Sequence, residues 1–217
     1  MAAEFTQTER TNFGRLPERG SHDVAAAYEI LDEALFCHVG FVIEGKVAVI
    51  PTIHARDGDK LVLHGSVASR MLRTLKKGAD VCVVVTILDA LVMARSAFHH
   101  SMNYRSVVIY GHARLVDDPE DKLAAMAAVT EHVARGRWTD ARQPNLKEIQ
   151  ATMIIEIPLA EASVKMRTGP PGDDAEDMEL DVWAGLIPVT TTFGEPIAAP
   201  DLKDAVDLPG YLEDYTR

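Results

Sequence analysis

The stretch AVIPTIHARDGDKLVLHGSVASR, residues 48–70, decides the fold because it contains two strand patterns and the turn between them. Residues 47–54 and 60–64 are short runs rich in β-branched residues, which is typical of strands. Arg56-Asp57-Gly58-Asp59 separates the two runs, and an Asp-Gly pair favours a tight turn. The stretch therefore predicts a β-hairpin followed by a helix that begins near Ser69.

Further strand patterns on both sides extend this hairpin into a larger antiparallel sheet. Glu44-Gly45-Lys46 is the turn of a preceding hairpin with residues 36–43. The other strand patterns cover residues 81–86, 91–96, 105–116 and, after a helical region, 152–159. About six short antiparallel strands with few helices predict a mainly β fold, closed or partly closed as a barrel because open edges invite aggregation.

Helix signals flank the strands without forming a βαβ alternation. Asp23, Asp118 and Asn145 are candidate N-caps, with Pro119 at a first helical position. The chain has no GxGxxG or Walker motif, which argues against a Rossmann or P-loop fold. We expect one domain over residues 20–190, with an exposed acidic loop at 168–181 and a C-terminal tail at 191–217.

Composition restricts the class of protein. The 217 residues carry a formal net charge of −11, which argues against a nucleic-acid or anionic-membrane surface. No apolar run approaches the roughly 20 residues of a membrane span, and the opening residues lack a signal-peptide core. The two cysteines, Cys37 and Cys82, form no metal or disulfide motif, so we interpret them as buried thiols. These features predict a soluble, cytoplasmic protein.

Residues 64–78, HGSVASRMLRTLKKG, place four cations and no acid in this acidic chain. Two hydroxyls, the free N–H groups of a helix start and the planar guanidinium of Arg70 would suit a phosphate. The alternative is a solvated helix face, and this segment alone does not separate the two. The residues concerned are Ser66, Ser69, Arg70, Arg73, Lys76 and Lys77.

A second polar segment lies in AFHHSMNYRSVVIYG, residues 97–111, immediately before an apolar strand pattern. Its side chains are either ligand-binding groups at a barrel edge or ordinary turn residues: Ser101, Asn103, Tyr104, Arg105 and Ser106. His99 and His100 are adjacent, and neighbouring side chains of an extended strand point to opposite faces. We therefore expect no metal site there.

Trp183 in VWAGLIP, residues 182–188, is a third candidate. An indole can cover a flat ring system, and Lys165 or Arg167 of the preceding KMRTGP segment can supply charge beside it. The alternative is that Trp183 belongs to the core.

In this order along residues 26–188, the motifs resemble the pyridoxamine 5′-phosphate oxidase-like, FMN-binding split-barrel flavoproteins, especially the nitroimidazole-resistance-related branch. They are AVIPTIHARDGDKLVLHGSVASR, MNYRSVVIYG and VWAGLIP. The resemblance implies a six-stranded antiparallel Greek-key split β-barrel. It also implies a homodimer with one FMN in each of two clefts between the subunits.

The resemblance also implies which residues hold the cofactor. The strand containing Pro51, Thr52, Ile53 and His54 would line the flavin, with His64 and Gly65 beside it. Ser69 and Arg70, supported by Ser66, match the pair at the phosphate, and Arg105-Ser106 matches an Arg-Gln pair. Trp183 would close the cleft from the partner subunit. The candidate cations near the N1–C2=O edge of the flavin are Arg105, Lys165 and Arg167.

Two departures limit what can be transferred. The oxidases have a lysine after Ser-Arg, where this chain has Met71. They also have an Arg-x-His element after their tryptophan, where this chain has the apolar residues 186–190. We transfer the cofactor and not the oxidation of pyridoxamine phosphate.

The resulting expectation is an FMN-dependent oxidoreductase acting on a small organic molecule such as a nitroaromatic or quinone, with electrons from a nicotinamide donor. No nucleophile or general base stands out, and hydride chemistry requires none. Two alternatives stay open: a non-catalytic protein that binds flavin or haem, and a deazaflavin-dependent reductase of the same superfamily.

Overall fold

The structure is a computed structural model that describes residues 3–216. In that range it is mainly β, with ten strands and five α-helices. The strands are β1 Gly20–Ser21, β2 Phe36–Ile43, β3 Lys46–Asp57, β4 Lys60–Ser66, β5 Asp80–Met93, β6 Ser101–His112, β7 Arg114–Val116, β8 Thr152–Pro158, β9 Glu161–Arg167 and β10 Gly185–Pro188. The helices are α1 Val24–Glu33, α2 Arg70–Leu75, α3 Pro119–Val133, α4 Arg137–Asp140 and α5 Leu146–Ala151.

All strands belong to one curled antiparallel sheet that forms a half-barrel. Its order is β1-β9-β6-β5-β2-β3-β4-β8-β7, and β10 pairs with the far end of β5 beyond β2. The expected six-stranded barrel is not confirmed, because the sheet has ten strands and differs from the seven sequence patterns in three ways. Residues 81–86 and 91–96 form the single strand β5, with a register shift at Asp89. Strand β9 was missed, and three short strands extend the edges.

The core fills the inside of the curl. On β2, Cys37, Val39 and Phe41 alternate inward, as a half-buried strand requires. Helix α1 adds Ile30 and Leu31, which are fully buried. Burial of each large aliphatic side chain contributes about 1.5–3 kcal/mol, so this cluster is the main source of stability.

Two of the helices lie on opposite faces of β4. Helix α2 buries Leu72 and Leu75 in the main cluster inside the curl. Helix α3 packs outside it, in a second cluster that joins Val129 to Ala55 and Val62. Strand β4 is therefore covered on both faces, which fixes the position of the helix that follows it.

The predicted helix starts are confirmed by their caps. The Asp23 carboxylate accepts from Ala25 N at 2.7 Å, and Asn145 forms a capping box with Glu148. Asp118 accepts from the N–H groups of Glu120 and Asp121. These contacts explain why three of the helices begin where the sequence predicted.

The sequence predicted two buried thiols, and the structure confirms this for Cys37 but not fully for Cys82. Cys37 is fully buried, and burial raises the pKa of its thiol to about 12. Cys82 is half-buried, and burial also raises its pKa. Burial therefore favours the protonated form of both thiols.

Residues after β10 form a strap against α3 and α4. The Tyr211 hydroxyl donates to Asp140 Oδ2 at 2.5 Å, and the Tyr215 hydroxyl donates to the carbonyl of Val133. Apart from a short 3₁₀ turn, Gly210–Leu212, the described tail has no helix or strand. None of the helices described over residues 3–216 is long and apolar enough to span a membrane.

Candidate functional site

Strands β3 and β4 form a fork, and seven of the fourteen predicted cofactor residues lie on these two strands. The two strands pair only from His54–Leu63 to Asp57–Lys60. Before His54, β3 pairs with β2 instead, while β4 continues to Ser66 along β8. The strands therefore separate, with Pro51, Thr52 and Ile53 on one arm and His64, Gly65 and Ser66 on the other.

The hydroxyls predicted to meet phosphate lie directly after the β4 arm. Ser66 Oγ accepts from Ala68 N at 3.1 Å, and Ser69 Oγ accepts from Leu72 N at 3.3 Å. Ser69 N–H in turn donates to the carbonyl of Ser66 at 2.9 Å. Each hydroxyl acts here as an acceptor, so its own proton stays available to donate to an anion.

Arg70 is the first residue of α2 and is exposed. In the described part of the chain, no carboxylate lies within 4.0 Å of its guanidinium, so this cation is not neutralised. Met71, which replaces the lysine of the oxidases, points into the core with Leu72. A lysine at position 71 would bury its charge, so charge on this side must come from Arg70 or the exposed Arg73.

His64 lies on the fork with a buried ring nitrogen. Its Nδ1 has no hydrogen-bond partner among residues 3–216, and burial lowers the pKa of the imidazole. The ring is therefore neutral at pH 7 and adds no charge to the fork. A Cβ at the neighbouring Gly65 would lie 3.0 Å from Leu72 Cδ1, so a larger residue there would require the buried Leu72 side chain to shift.

His54 lies inside the fold rather than on the open fork. It is fully buried, and its Nε2 lies 3.0 Å from the carbonyl oxygen of Leu31. Its ring centroid lies 5.2 Å from that of His132. Of the four residues predicted on this strand, Pro51 and Ile53 are exposed and Thr52 is half-buried.

A second group of predicted residues lies on β6 and β9, which are three and four strands along the sheet from β3. Ser106 pairs with Lys165 across these strands, and its Oγ donates to the Lys165 carbonyl at 3.0 Å. Lys165 Nζ donates to the Arg15 carbonyl at 2.9 Å, and Arg167 donates to Asn103 and to the Pro170 carbonyl. These polar groups already have partners within the fold.

Arg105 is bound by two carboxylates. Its Nη2 donates to Asp89 Oδ1 and to Glu33 Oε1, each at 2.8 Å, and its Nε donates to Asp89 Oδ2 at 3.1 Å. These contacts raise the pKa of Arg105 further above its ordinary value. The cluster of one cation and two anions carries a net negative charge. Sequence reasoning missed Asp89, although an acid inside an apolar strand pattern is a usable signal.

Trp183 is not a core residue, because it is 67% exposed. Its indole lies against Gly185, with Trp183 Cζ2 3.0 Å from the place a Cβ would occupy. Gly185 pairs with Met93 at the start of β10, which holds the indole beside the end of β5. The side chain thus presents most of a large apolar ring to whatever approaches this edge.

The outer face of β2 and β3 is apolar and exposed. Phe36 faces Ile53 across the two strands, and Val42 faces Val47. Directly opposite residues share a face, so these side chains and Val49 form one patch whose members are 42–80% exposed. Large contiguous apolar patches are typical of interaction surfaces, so this patch is a candidate for one.

A cavity of about 840 Å³ lies elsewhere, between α3 and the C-terminal strap. Its described lining includes Arg56, Glu131, Arg135, Tyr211 and Tyr215, and none of the predicted cofactor residues. The volume of this cavity therefore gives no support for a cofactor site at the fork.

Comparisons with known proteins show which family the chain belongs to. The family model for pyridoxamine 5′-phosphate oxidase matches residues 23–166. Among solved structures, flavocytochrome Anf3 from Azotobacter vinelandii is 36% identical with a TM-score of 0.90, covering 95% of this chain and 96% of that one. An FAD- and haem-binding protein from Mycobacterium smegmatis is 34% identical with a TM-score of 0.87, covering 90% and 96%.

A more distant structure shares the fold alone. It is described as a 5-nitroimidazole antibiotic resistance protein from Bacteroides thetaiotaomicron, with 21% identity, a TM-score of 0.56 and coverage of 67% and 85%. No curated protein sequence matches the chain. With the family model covering residues 23–166 and two solved structures above 30% identity, the chain belongs to the pyridoxamine 5′-phosphate oxidase family.

Proposed function

We propose that this chain is a flavin-binding redox protein that holds the flavin phosphate with Ser66, Ser69 and Arg70. The observation that carries the proposal is the exposed, unpaired guanidinium of Arg70 beside two hydroxyls at the end of the fork. An exposed guanidinium with nearby hydroxyl donors suits a phosphate, since charge-assisted hydrogen bonds to phosphate are strong and can be bidentate.

The relatives support a flavin cofactor and add FAD to FMN as a candidate. One is a flavocytochrome and the other is an FAD- and haem-binding protein. The sequence motifs led us to expect FMN, whereas the second relative favours FAD. Both cofactors carry a phosphate next to the ribityl chain, so the same three residues serve either one.

We further propose that the site is completed by a second copy of the chain in a split-barrel homodimer. The apolar patch around Val47 and Val49 is a surface that a stable homodimer would bury. Trp183 is exposed and has a large apolar ring available to cover a flavin of the partner subunit. Pairing of two copies would therefore remove both surfaces from water.

A bound flavin would supply hydride or single-electron transfer, and the protein would supply binding and orientation. Arg70 would anchor the phosphate, and the arms of the fork would lie along the flavin. Arg105 together with Glu33 and Asp89 carries a net negative charge, so this cluster would not stabilise an anionic reduced flavin unless one of the two carboxylates moved away. Lys165 and Arg167 are thus the stronger candidates for charge near the ring.

The substrate that fits best is a small apolar organic acceptor, such as a nitroaromatic or quinone, with a nicotinamide donor. Leu186 and Ile187 are exposed on β10, where the oxidases place polar groups for their vitamin substrate. An apolar edge beside Trp183 would bind a flat ring better than a phosphorylated amine.

Haem is a second candidate ligand, because both relatives above 30% identity are haem proteins by description. A neutral imidazole is the form that coordinates iron, and His64 is kept neutral by burial. A deazaflavin cosubstrate remains the other alternative.

The visible absorption spectrum of the purified protein tests the proposal. We expect flavin bands, and release of FMN or FAD on heating, identified by chromatography. An additional Soret band would add haem to the assignment. A colourless protein that gains neither colour nor thermal stability from FMN or FAD would reject it, and competition by a deazaflavin would identify the third alternative.

A further inference from the structure

We propose that His99, Asp174 and Asp177 form a binding site for a divalent transition-metal ion. The site lies where the 3₁₀ turn at residues 97–99 meets the 3₁₀ turn at residues 175–179. One ligand atom from each residue lies within 4.8 Å of the other two. His99 Nε2 and Asp174 Oδ2 lie 3.0 Å apart. The site shares no residue with the proposed flavin site, and its test is independent of that proposal.

The local backbone places both carboxylates on one side of a turn. Asp174 immediately precedes the 3₁₀ turn Ala175–Glu179, and Asp177 N–H donates to the Asp174 carbonyl at 3.0 Å. Asp174 is the N-cap of this turn and has an extended backbone. The ligand oxygens of residues 174 and 177 lie within 4.8 Å of each other, so the two carboxylates face the same place.

The imidazole approaches from a second turn. His99 ends the 3₁₀ turn Ala97–His99, whose Ser96 cap accepts from Phe98 N at 3.2 Å. His100 points elsewhere, with its Nδ1 3.0 Å from the Ser96 carbonyl oxygen. From the sequence we expected no metal site here, because His99 and His100 were placed on an extended strand, whereas His99 ends a 3₁₀ turn. Sequence reasoning also did not connect His99 with Asp174, which lies 75 residues further along the chain.

A buried ion pair fixes the two turns against each other. The Asp173 carboxylate is 1% exposed and accepts from both Arg95 N and Arg95 Nη1 at 2.8 Å. Asp173 adjoins Asp174, and Arg95 precedes the turn that contains His99. The ligands are thus held in place before any ion arrives, which lowers the entropic cost of binding.

The surrounding charge favours a dication. Residues 168–181 contain six carboxylates and no lysine or arginine. Five of the six have no arginine or lysine partner among the described residues, since only Asp173 is paired, with Arg95. A bound dication would relieve this repulsion.

The donor set indicates the kind of ion. Mg²⁺ and Ca²⁺ prefer oxygen ligands, whereas one imidazole with two carboxylates suits Zn²⁺ or Co²⁺. Three protein ligands leave a coordination position for water, as in catalytic zinc sites. Ligand bonds of about 2.0–2.2 Å require only a small closure of side chains that already lie this near each other.

The competing explanation is an ordinary hydrogen-bonded ion pair between His99 and Asp174, and isothermal titration with Zn²⁺ separates the two. The full chain, first treated with chelator, should bind one Zn²⁺ per protein. The His99→Ala and Asp177→Asn variants should each bind at least about 10-fold more weakly. Zn²⁺ should raise the melting temperature of the original chain and not that of the variants.

His100→Ala and Glu176→Gln are matched controls on the same two turns, and both should keep the original affinity. Absence of one-to-one binding would overturn the proposal. Equal weakening in the controls would also overturn it, because the ion would then be held by the general acidity of the loop. Melting temperatures without metal show that each variant is folded.

Discussion

Arg70 and Arg105 were both assigned to the cofactor by the same resemblance, yet their surroundings differ. Arg70 is exposed and has no carboxylate within 4.0 Å among the described residues. Arg105 is 28% exposed and lies between Glu33 and Asp89. A motif gives the identity of a side chain, whereas its neighbours in space decide whether its charge is available to a ligand.

The largest effect should come from replacing Arg70. Arg70→Ala should weaken flavin binding by about 2–4 kcal/mol, because the phosphate loses its charged partner. Stability should change by less than about 0.5 kcal/mol, as for an exposed side chain with few contacts. Flavin fluorescence titration measures the first quantity. Arg73→Ala is the matched control and should cost less; equal affinity in Arg70→Ala would place the phosphate elsewhere.

Arg105→Ala should show the opposite pattern and sharpen the contrast. Removing the cation leaves Glu33 and Asp89 facing each other, so the free energy of unfolding should fall by about 2 kcal/mol. Urea denaturation measures this loss. A second change, Asp89→Asn in the same chain, should restore part of it. A stable Arg105→Ala protein that no longer binds flavin would break the comparison.

Trp183→Ala should have a smaller effect, confined to binding. We expect flavin affinity to fall by about 1–2 kcal/mol if the indole covers the ring, with stability nearly unchanged because the side chain is mostly exposed. A flavin titration measures the affinity, and thermal melting measures the stability. A large loss of stability would instead show that the indole supports the β5 edge.

The smallest effect concerns His64. Burial lowers its pKa in the folded chain, so the unfolded chain binds the proton more readily. Stability is therefore full above the ordinary histidine pKa of about 6.5 and should fall as pH drops below it. The His64→Gln variant should lose less stability between about pH 6.5 and pH 5 than the original chain, as measured by urea denaturation at each pH. Identical pH profiles would contradict the lowered pKa.

Local signals predicted the parts of the fold that depend on nearby residues. The hairpin around Gly58 and the caps at Asp23 and Asn145 form within a few residues, and each was predicted correctly. The continuity of β5 was not predicted, because the acidic residue Asp89 interrupts its apolar pattern. Only the contact with Arg105 on the neighbouring strand explains how Asp89 is accommodated within β5. Strand β9 was missed because its sequence, EASVKMR, contains a single β-branched residue among polar and charged ones.

The candidate site shows the same difference between features that depend on nearby residues and features that depend on long-range contacts. The motif order directed attention to Ser66, Ser69 and Arg70, which lie close together where β4 ends and α2 begins. Their role in binding a cofactor stays a prediction. Sequence did not reveal that His54 is buried against Leu31 or that Arg105 is paired, since both depend on α1. The contact between His99 and Asp174 was likewise beyond local reasoning.

The most direct test of the phosphate site compares the affinities of FMN and riboflavin for the same preparation. The two differ only in the phosphate, so we expect FMN to bind tighter by about 2–4 kcal/mol, which is roughly 30- to 1000-fold. Equal affinities would show that the phosphate makes no charged contact with the protein. That result would contradict the role of Arg70.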